Sequence, residues 1–472
     1  MTGNLLALCS IAALVAGCAG FSSDSGMGAV VEASRREIGA EPVKIASDAQ
    51  AQAARARVTA LLARPLDADA AVEVALLNNR GLQAAYNELG LSEVAFVESG
   101  LPPSPRLTLE RTAGSGVVEL ELRLVANILA LLTLPARQEI AAEQFRQAQS
   151  KAIEATFRLA MATRRAQIRA VAAGQLAQFL EQARVTTDAA ADLMQKLGES
   201  GGATRLDQAR TSGHHAEMSA QLARARLTAR VEREALTRLL GLWGQDITYR
   251  LPTALPALPR TTRSAERVET EAVRRNVELT MARQEFEATA KSLGLTEATR
   301  YVSLLELGGI AQRERESSEG TTTRSSRRGL ELELRVPIFD LGESSARRAR
   351  EQYLRAYNRM VETAVNVRSE ARAAYQAYRA SLDIARQYRD SVVPLRRTAA
   401  EEALLRYNGM LIDVFPLLTT ARENVAGNAA AIEAARDLLL AEVDLKAATI
   451  GGGRAGAGSA RGALPGTPAE DH

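Results

Sequence analysis

The chain has 472 residues, of which 46% are hydrophobic and only 4% aromatic. Its 59 Lys and Arg residues nearly balance 56 Asp and Glu residues, and a net charge of +3 offers no basis for electrostatic capture of nucleic acid. Both cysteines, Cys9 and Cys18, lie near the N-terminus, which excludes a disulfide framework or a cysteine-based zinc site downstream. Sparse aromatics beside abundant Ala and Leu are typical of long helices that pack through small side chains.

The first predicted element is a short apolar segment over residues 5–16. It is too short to span a bilayer and ends in small residues, a pattern typical of an export signal. Its end, Val15-Ala16-Gly17-Cys18, is similar to a bacterial lipobox, which implies a lipoprotein signal peptide over residues 1–17 and acylation of Cys18. The alternative is a cysteine that follows an export signal by chance. No later segment has the ~18 uncharged apolar residues of a transmembrane helix, so strands would have to make any membrane crossing.

The remaining chain contains an internal repeat of about 200 residues. The sequence Glu-Leu-Glu-Leu-Arg occurs at 119–123 and returns at 331–335, an offset of 212 residues. Upstream, the Ala, Asn and Leu positions of 75–82 match those of 272–279 at an offset of 197. The difference predicts an insertion in the second copy, around the Ser/Thr/Arg-rich stretch 317–328.

Each copy has the same order of predicted elements. An opening helix of about 30 residues precedes a β-hairpin, and a very long helix then leads to a glycine-marked turn and a helix of about 40 residues. The predicted bounds are 71–99 and 264–298 for the opening helix, 106–125 and 301–337 for the hairpin, 135–197 and 344–408 for the long helix, and 203–243 and 410–449 for the closing helix.

The long helices carry an apolar seam that repeats about every 3.5 residues, which predicts coiled-coil packing. About 63 residues at 1.5 Å each make a rod of about 95 Å. Two shorter helices stacked end to end would match each rod, with their joint and a small mixed layer at 244–263. A cytosolic structural coiled coil would show the same periodicity, but the export signal and the interrupting strands count against it.

The two Glu-Leu-Glu-Leu-Arg strands alternate aliphatic and charged side chains, which suits strands with lipid on one side and water on the other. An ordinary surface strand with its apolar face turned to a core would show the same pattern. Four strands cannot close a membrane barrel, which needs at least about eight, so three protomers would have to contribute twelve. The charged residues predicted to face the lumen are Glu119, Glu121, Arg123, Glu331, Glu333 and Arg335.

Four local motifs resemble the TolC-like outer membrane efflux family, in its lipoprotein branch. The resemblance covers residues 35–450, and its motifs are Ala-Leu-Leu-Asn-Asn at 75–79, Gly-Leu-Pro-Pro-Ser-Pro at 100–105, Val-Pro-Ile-Phe-Asp-Leu-Gly at 336–342 and Arg-Tyr-Asn-Gly-Met-Leu-Ile-Asp-Val at 406–414. It implies a mainly α fold with a small β part, in which a long α-helical coiled-coil barrel adjoins a trimeric, 12-stranded transmembrane β-barrel.

The resemblance also implies a function and an organisation. The expected protein is a passive channel-tunnel in the outer membrane, lipid-anchored, homotrimeric, and opened by a periplasmic adaptor that links it to an inner-membrane transporter. It would be the exit duct of a tripartite efflux pump or a type I secretion system. The implied domains are a periplasmic segment at 18–70, repeat 1 at 71–243, an equatorial linker at 244–263, repeat 2 at 264–449 and a disordered tail at 450–472.

By the same resemblance, the two turns that follow the long helices are periplasmic tips that close the mouth and contact the adaptor. Asp413 falls at an acidic position of the constriction, whereas the second acidic position of that motif is Pro416 here. The alternative is that Asp413 is a helix N-terminal acid favoured by the helix dipole. The candidate tip residues are Gly198, Arg205, Leu206, Asp207, Arg210, Tyr407, Gly409, Met410, Leu411 and Asp413.

Nothing in the sequence predicts an enzyme, a cofactor or a metal site. His214 and His215 are adjacent on a predicted helix, point about 100° apart and cannot chelate together as an i, i+4 pair would. No nucleophile elbow, Walker A loop or dinucleotide fingerprint occurs. The alternative to a channel is a non-conducting periplasmic structural lipoprotein built on the same coiled coils.

Overall fold

The computed structural model describes residues 20–115, 117–259, 265–318 and 321–453. The predicted signal peptide, Cys18 and most of the predicted tail lie outside these residues. The described helices are α1 (Gly28–Ile38), α2 (Asp48–Leu62), α3 (Ala68–Asn78), α4 (Arg80–Gly100), α5 (Ile128–Leu132), α6 (Leu134–Glu199), α7 (Arg205–Leu240), α8 (Ala265–Arg275), α9 (Val277–Ala298), α10 (Glu343–Gln387), α11 (Val393–Asn408) and α12 (Val414–Ile450). The described strands are β1 (Arg106–Gly114), β2 (Val117–Asn127), β3 (Leu304–Ser318) and β4 (Thr321–Arg335).

The chain forms two compact units, each assembled from three separated segments. The sheet unit contains the described parts of Met1–Gly28, Tyr86–Lys151 and Leu279–Thr363. The helical unit contains those of Ala29–Ala85, Ala152–Glu278 and Ala364–His472. None of the helices that the structure describes combines the length and the hydrophobicity that crossing a membrane requires.

The sheet unit contains a four-stranded antiparallel sheet in the order β1-β2-β3-β4. The second hairpin lies within its predicted bounds, and β3 and β4 stay paired as far as Ser318 opposite Thr321. The stretch 317–328, where the sequence predicts an insertion, extends the strands of this hairpin, which are longer than β1 and β2. The described residues of this stretch are Ser, Thr and Arg, and the register pairs their backbone in the ladder of the hairpin.

The first long helix, α6, is continuous, but the second is not. The predicted helix 344–408 is divided by a π-helical turn at Tyr388–Val392 into α10 and α11. Pro394 lies in the first turn of α11, where its missing N–H removes a backbone hydrogen bond to the preceding turn. A π-helical turn accommodates that loss without ending the helix.

Both opening helices are interrupted at equivalent asparagines. Asn79 separates α3 from α4, and Asn276 separates α8 from α9. The side-chain amide of Asn79 donates to the backbone carbonyl of Leu239 near the end of α7 (3.0 Å), and its Oδ1 accepts from the backbone N–H of Leu82 in α4 (3.1 Å). Asn276 repeats the arrangement, donating to the Ala448 carbonyl of α12 (3.2 Å) and accepting from the Glu278 amide of α9 (2.9 Å).

The main core of the helical unit surrounds the first of these breaks. Helices α1 and α2 were not predicted, and α2 contributes to this core. The residues that form it are Ala54, Val58, Leu66, Ala71, Val74, Ala75, Leu77, Ala166, Ala170, Leu236, Leu240, Leu242 and Tyr249. The expected mixed layer is not seen in the described linker 244–259, which contains a 3₁₀ turn at Gly244–Ile247 and no strand.

Candidate functional site

One face of the sheet exposes aliphatic side chains. The register places Leu109, Leu122 and Ala311 in one row, with Leu107, Leu124 and Gly309 in the next. On β4, Leu330 is 87% exposed and Leu332 is 67% exposed. Soluble proteins rarely expose such a contiguous apolar surface unless it contacts a partner or a membrane. We call this surface the aliphatic face.

The opposite face carries the charged residues predicted to line a lumen, and the register places all six of them there together. Arg123 contacts Glu121 on its own strand (3.2 Å) and Glu331 of β4 (3.6 Å). Glu119 accepts a hydrogen bond from Gln312 of β3, and Arg335 contacts Glu333 (3.4 Å). The charged side chains of β2 are half-buried by these contacts, whereas Leu120, Leu122 and Leu124 on the same strand are exposed. One ion pair, between Arg123 and Glu331, thus links β2 to β4 across the charged face.

The first tip is a tightly bonded turn between α6 and α7. Gly201 has a left-handed backbone (φ 79°), and the Gly202 amide donates to the Leu197 carbonyl (2.7 Å), which terminates α6 in a Schellman motif. Thr204 caps α7: its hydroxyl accepts from the Asp207 amide (3.2 Å) and donates to the Asp207 carboxylate (2.6 Å). Three predicted tip residues, Arg205, Leu206 and Arg210, are exposed beside this cap, and Gly198 lies in the last turn of α6.

The second tip ends α11 with the same pair of backbone hydrogen bonds as the first tip. The residue with the left-handed backbone, however, is not a glycine. The Leu411 amide donates to the Arg406 carbonyl (2.8 Å), and the Met410 amide donates to the Tyr407 carbonyl (2.9 Å). The left-handed residue is Met410 (φ 57°), whereas Gly409 has φ −81°. The helix thus ends at Gly409, as predicted, whereas the left-handed conformation falls on the next residue. Met410 and Leu411 are 94% and 76% exposed.

Asp413 occupies the N-cap position of α12, as the alternative interpretation expected, but its side chain makes no capping hydrogen bond. The carboxylate is exposed. Tyr407 is half-buried on the preceding helix. Among the described residues of one protomer, neither the Tyr407 hydroxyl nor the Asp413 carboxylate has an assigned hydrogen bond, so both groups remain available to a neighbouring chain.

The structure brings the two tips together through side chains of α7 and α12. The Arg210 guanidinium lies 4.9 Å from the centre of the Phe415 ring, a cation–π contact. Two turns further along, Arg422 donates from Nε to His214 Nδ1 (2.9 Å) and also contacts Glu217 (3.1 Å). Burial and the adjacent Arg422 charge lower the pKa of His214, so the ring is neutral near pH 7 and can accept this hydrogen bond.

Sequence reasoning missed Phe415 and Arg422 as contacts between the tips. The sequence could have predicted that His214 faces another helix, because it begins an apolar seam on α7 that continues through Met218, Leu222 and Ala225. The spacing Thr204-x-x-Asp207 likewise follows the capping-box pattern. In the part of the chain that the structure describes, no three His, Cys, Asp or Glu side chains converge as a metal site.

Comparison with known proteins was made by sequence and by structure. Neither a protein-family model nor a curated protein sequence matches the chain. Solved structures do match. The outer membrane protein VceC from Vibrio cholerae is 16% identical, with 82% of this chain and 96% of that chain covered and a TM-score of 0.68. The CmeC outer membrane channel from Campylobacter jejuni is 15% identical over 82% of this chain and 86% of that chain, with a TM-score of 0.69.

The open state of the MtrE outer membrane channel from Neisseria gonorrhoeae is 14% identical over 81% of this chain and 88% of that chain, with a TM-score of 0.64. At these identities the likeness concerns the fold. The chain therefore has the fold of outer membrane channels such as these. The predicted fold class, mainly α with a small β part, is confirmed.

Proposed function

We propose that this protein is a subunit of a homotrimeric outer membrane channel of the TolC-like family, which forms the exit duct of a tripartite efflux pump or a type I secretion system. The observation that carries the proposal is the division of one sheet into an exposed aliphatic face and an ion-paired charged face. That division suits strands with lipid on one side and a water-filled lumen on the other.

Strand length and sheet order support the same proposal. The four strands have 9, 11, 15 and 15 residues, and a tilted strand needs about 9–11 to cross a bilayer. The order β1-β2-β3-β4 places β1 and β4 at the edges of the protomer's sheet. Edge strands of this length need partners. Three copies joined from β4 to β1 would close a barrel of twelve strands.

The tips are proposed to form the closed mouth and the contact surface for a periplasmic adaptor, which would be coupled to an inner-membrane transporter. The exposed apolar pair Met410 and Leu411, with Leu206 at 57% exposure in the other tip, offers an apolar contact surface. The duct itself would be passive, because its tips hold structural caps and ion pairs rather than a nucleotide-binding or catalytic constellation.

Lipid anchoring at Cys18 stays a prediction. A single acyl chain holds a protein on a membrane only marginally, so the strands are expected to contribute most of the retention. Mass spectrometry of the mature protein tests the anchor: an acylated N-terminal Cys18 is expected, and an unmodified thiol would contradict it.

The decisive experiment for the channel is single-channel recording from the purified full-length protein in planar bilayers. Discrete conductance steps are expected. A matched pair of variants tests the face assignment, because Leu332 and Glu333 are neighbours on β4 that point to opposite faces. An arginine on a lipid-facing strand costs about 2–4 kcal/mol near the midplane, once for each protomer. Leu332→Arg should therefore abolish insertion, while Glu333→Arg should preserve it.

Two results would contradict the proposal. Folded wild-type protein that yields no conductance steps would favour the structural-lipoprotein alternative. Equal insertion of Leu332→Arg and Glu333→Arg would show that the aliphatic face does not meet lipid, even if conductance were observed.

A further inference from the structure

In β1, β3 and β4, arginines follow the aliphatic residues on the aliphatic face, towards the hairpin ends of the sheet, whereas β2 stays aliphatic on this face. In β4 the face changes from Leu330 to Arg328, and in β3 it changes from Ala311 to Arg313. The register places five arginines on this side of the sheet, and we call them the arginine band: Arg111, Arg313, Arg315, Arg324 and Arg328.

The band has no acidic counterpart on its own face. Among the described strand residues, every glutamate belongs to the opposite, charged face: Glu110, Glu119, Glu121, Glu306, Glu314, Glu316, Glu331 and Glu333. All five arginines of the band are exposed, and none forms a salt bridge with another described residue. The strand glutamates and the arginines of the band therefore lie on opposite faces of the sheet, and the band lies towards the hairpin ends of the strands.

The protomer gains no stability from this arrangement. Arg315 and Arg324 are directly opposite each other on β3 and β4, and like charges in that position destabilise a strand pair. A Glu at either position would give a favourable cross-strand pair. The band is thus better explained by an anionic partner than by the folding of the sheet.

The distance of the band from the leucines identifies the level at which that partner lies. At about 3.4 Å per residue, the Cα of Arg328 is about 7 Å beyond that of Leu330, and the Cα of Arg324 is about 20 Å beyond it. Apolar residues that contact acyl chains are followed at this distance by the headgroup region. Arginine stems can lie along apolar surface while the guanidinium reaches a phosphate and binds it with two hydrogen bonds.

We propose that the arginine band binds the phosphate groups of anionic lipids in the leaflet at the hairpin end of the sheet. The inference rests on the proposed function, because it requires the aliphatic face to meet the bilayer. It adds a lipid-binding site of defined chemistry, in which several guanidinium groups on the lipid-facing side of the strands bind phosphorylated headgroups.

Two double variants that remove the same number of charges test the site. Arg315→Gln with Arg328→Gln depletes the band. Arg106→Gln with Arg327→Gln removes two exposed arginines of the charged face, and Arg327 is the immediate neighbour of Arg328. The full-length protein is equilibrated with mixed micelles of phosphatidic acid and phosphatidylcholine, and the lipids that it retains are counted by native mass spectrometry.

The wild type and the charged-face variant should retain phosphatidic acid in preference to phosphatidylcholine. The band variant should lose about tenfold or more in that preference, since each basic group near an anionic surface contributes appreciably to binding. The preference should also weaken as salt is raised. Equal retention by both double variants, or equal loss in both, would overturn the proposal. So would displacement of the lipid by inorganic phosphate at a comparable concentration, which would indicate a site for free anions.

Conductance recorded from the same preparations separates this inference from the proposed function. Channel steps in the wild type and in both double variants, without any phosphatidic acid preference, would overturn the lipid site and leave the channel intact. Absence of steps in the wild type would contradict the channel itself.

Discussion

Met410 holds a backbone conformation that glycine usually provides. Its φ of 57° corresponds to the 79° of Gly201, which ends the other long helix by the same pair of hydrogen bonds. A side chain in the left-handed region costs about 1–2 kcal/mol. Such backbone strain is found mainly at functional sites. The Met410 side chain is almost fully exposed, so it is free to contact another molecule.

Replacing Met410 with glycine should therefore stabilise the second tip. We expect Met410→Gly to raise the free energy of local opening by about 0.5–1 kcal/mol, after allowance for the greater entropy of glycine in the open state. Hydrogen exchange of the amides at 410 and 411, which close the turn, measures this directly. Gly201→Ala is the reciprocal control and should increase exchange at the first tip. Faster exchange in Met410→Gly would show that the methionine makes a stabilising contact.

At the scale of elements, the paired asparagines hold each opening helix against the end of a closing helix. Each side chain donates to a C-terminal carbonyl of one helix and accepts from an N-terminal amide of another. Asn276 is buried, with 4% exposure. Unpaired buried polar groups are costly, so these two side chains fix the angle at which the chain passes between helices.

Asn79→Ala and Asn276→Ala should each destabilise the helical unit by about 1–3 kcal/mol, because two hydrogen bonds are lost and their backbone partners are left unpaired. Asn79→Asp and Asn276→Asp should destabilise the helical unit at least as much as the alanine variants, since a carboxylate would face carbonyl oxygens at the negative end of a helix dipole. Asn408→Ala, at an exposed helix end, is the matched control and should change little. Thermal unfolding followed by circular dichroism measures the series, and unchanged midpoints in both Asn79→Ala and Asn276→Ala would refute the role.

The contact between α7 and α12 should depend on pH through His214. Its pKa is lowered by burial and by Arg422, so the unfolded chain binds a proton at a higher pH than the folded chain does. The stability contributed by the neutral ring is complete above its ordinary pKa of 6.5 and is lost as the pH falls below that value. The other charged or titratable neighbours are Glu217 and His215 on the same helix.

His214→Gln should reduce the fall in melting temperature between about pH 7.5 and about pH 5.5, because glutamine keeps an acceptor for Arg422 but does not bind the proton. Far-UV circular dichroism follows the transition. Gln221→Ala, at an exposed and non-titrating position of the same helix, is the control and should retain the wild-type pH dependence. Identical pH dependence in all three proteins would place the sensitivity elsewhere.

The elements were more predictable than their interruptions. The repeat located Asn79 and Asn276 as matching positions, but nothing in a helical apolar pattern distinguishes an asparagine that faces solvent from one that bonds two helix ends. Helix α2 had a readable start, since Ser47 accepts from the Gln50 amide (3.3 Å) and Gln50 reaches back to the Ala46 amide (2.8 Å). The left-handed Met410 could not be predicted, because Gly409 beside it is the residue that local propensity favours for that conformation.

At the scale of the whole molecule, the proposed function depends on contacts that one protomer does not contain. The edges of β1 and β4 need partners, and the Tyr407 hydroxyl and the Asp413 carboxylate have no assigned hydrogen bond within the described protomer. In the proposed trimer these groups would meet their counterparts at the mouth. Closure would then be a property of the assembly, and each protomer would contribute the same contacts three times.

Removing both groups should make the mouth of the proposed trimer leaky. Polar contacts contribute about 1–3 kcal/mol each, and about 5.5 kcal/mol moves a two-state equilibrium from almost fully closed to almost fully open. The double variant Tyr407→Phe with Asp413→Ala loses these polar contacts in all three subunits. The total loss is enough to shift the equilibrium far from the closed mouth towards the open one. Helix α12 should be unaffected, since Asp413 makes no capping hydrogen bond that the alanine would remove.

The expected result is a higher resting conductance in planar bilayers with trimers intact on native gels. Glu401→Gln, an exposed acid on α11 about two turns before the tip, is the control and should leave the resting conductance at the wild-type level. If the double variant still forms trimers and its resting conductance is unchanged, Tyr407 and Asp413 do not hold the mouth shut. The contact of Arg210 with Phe415 would then be the next pair to test, because it joins the two tips within each protomer.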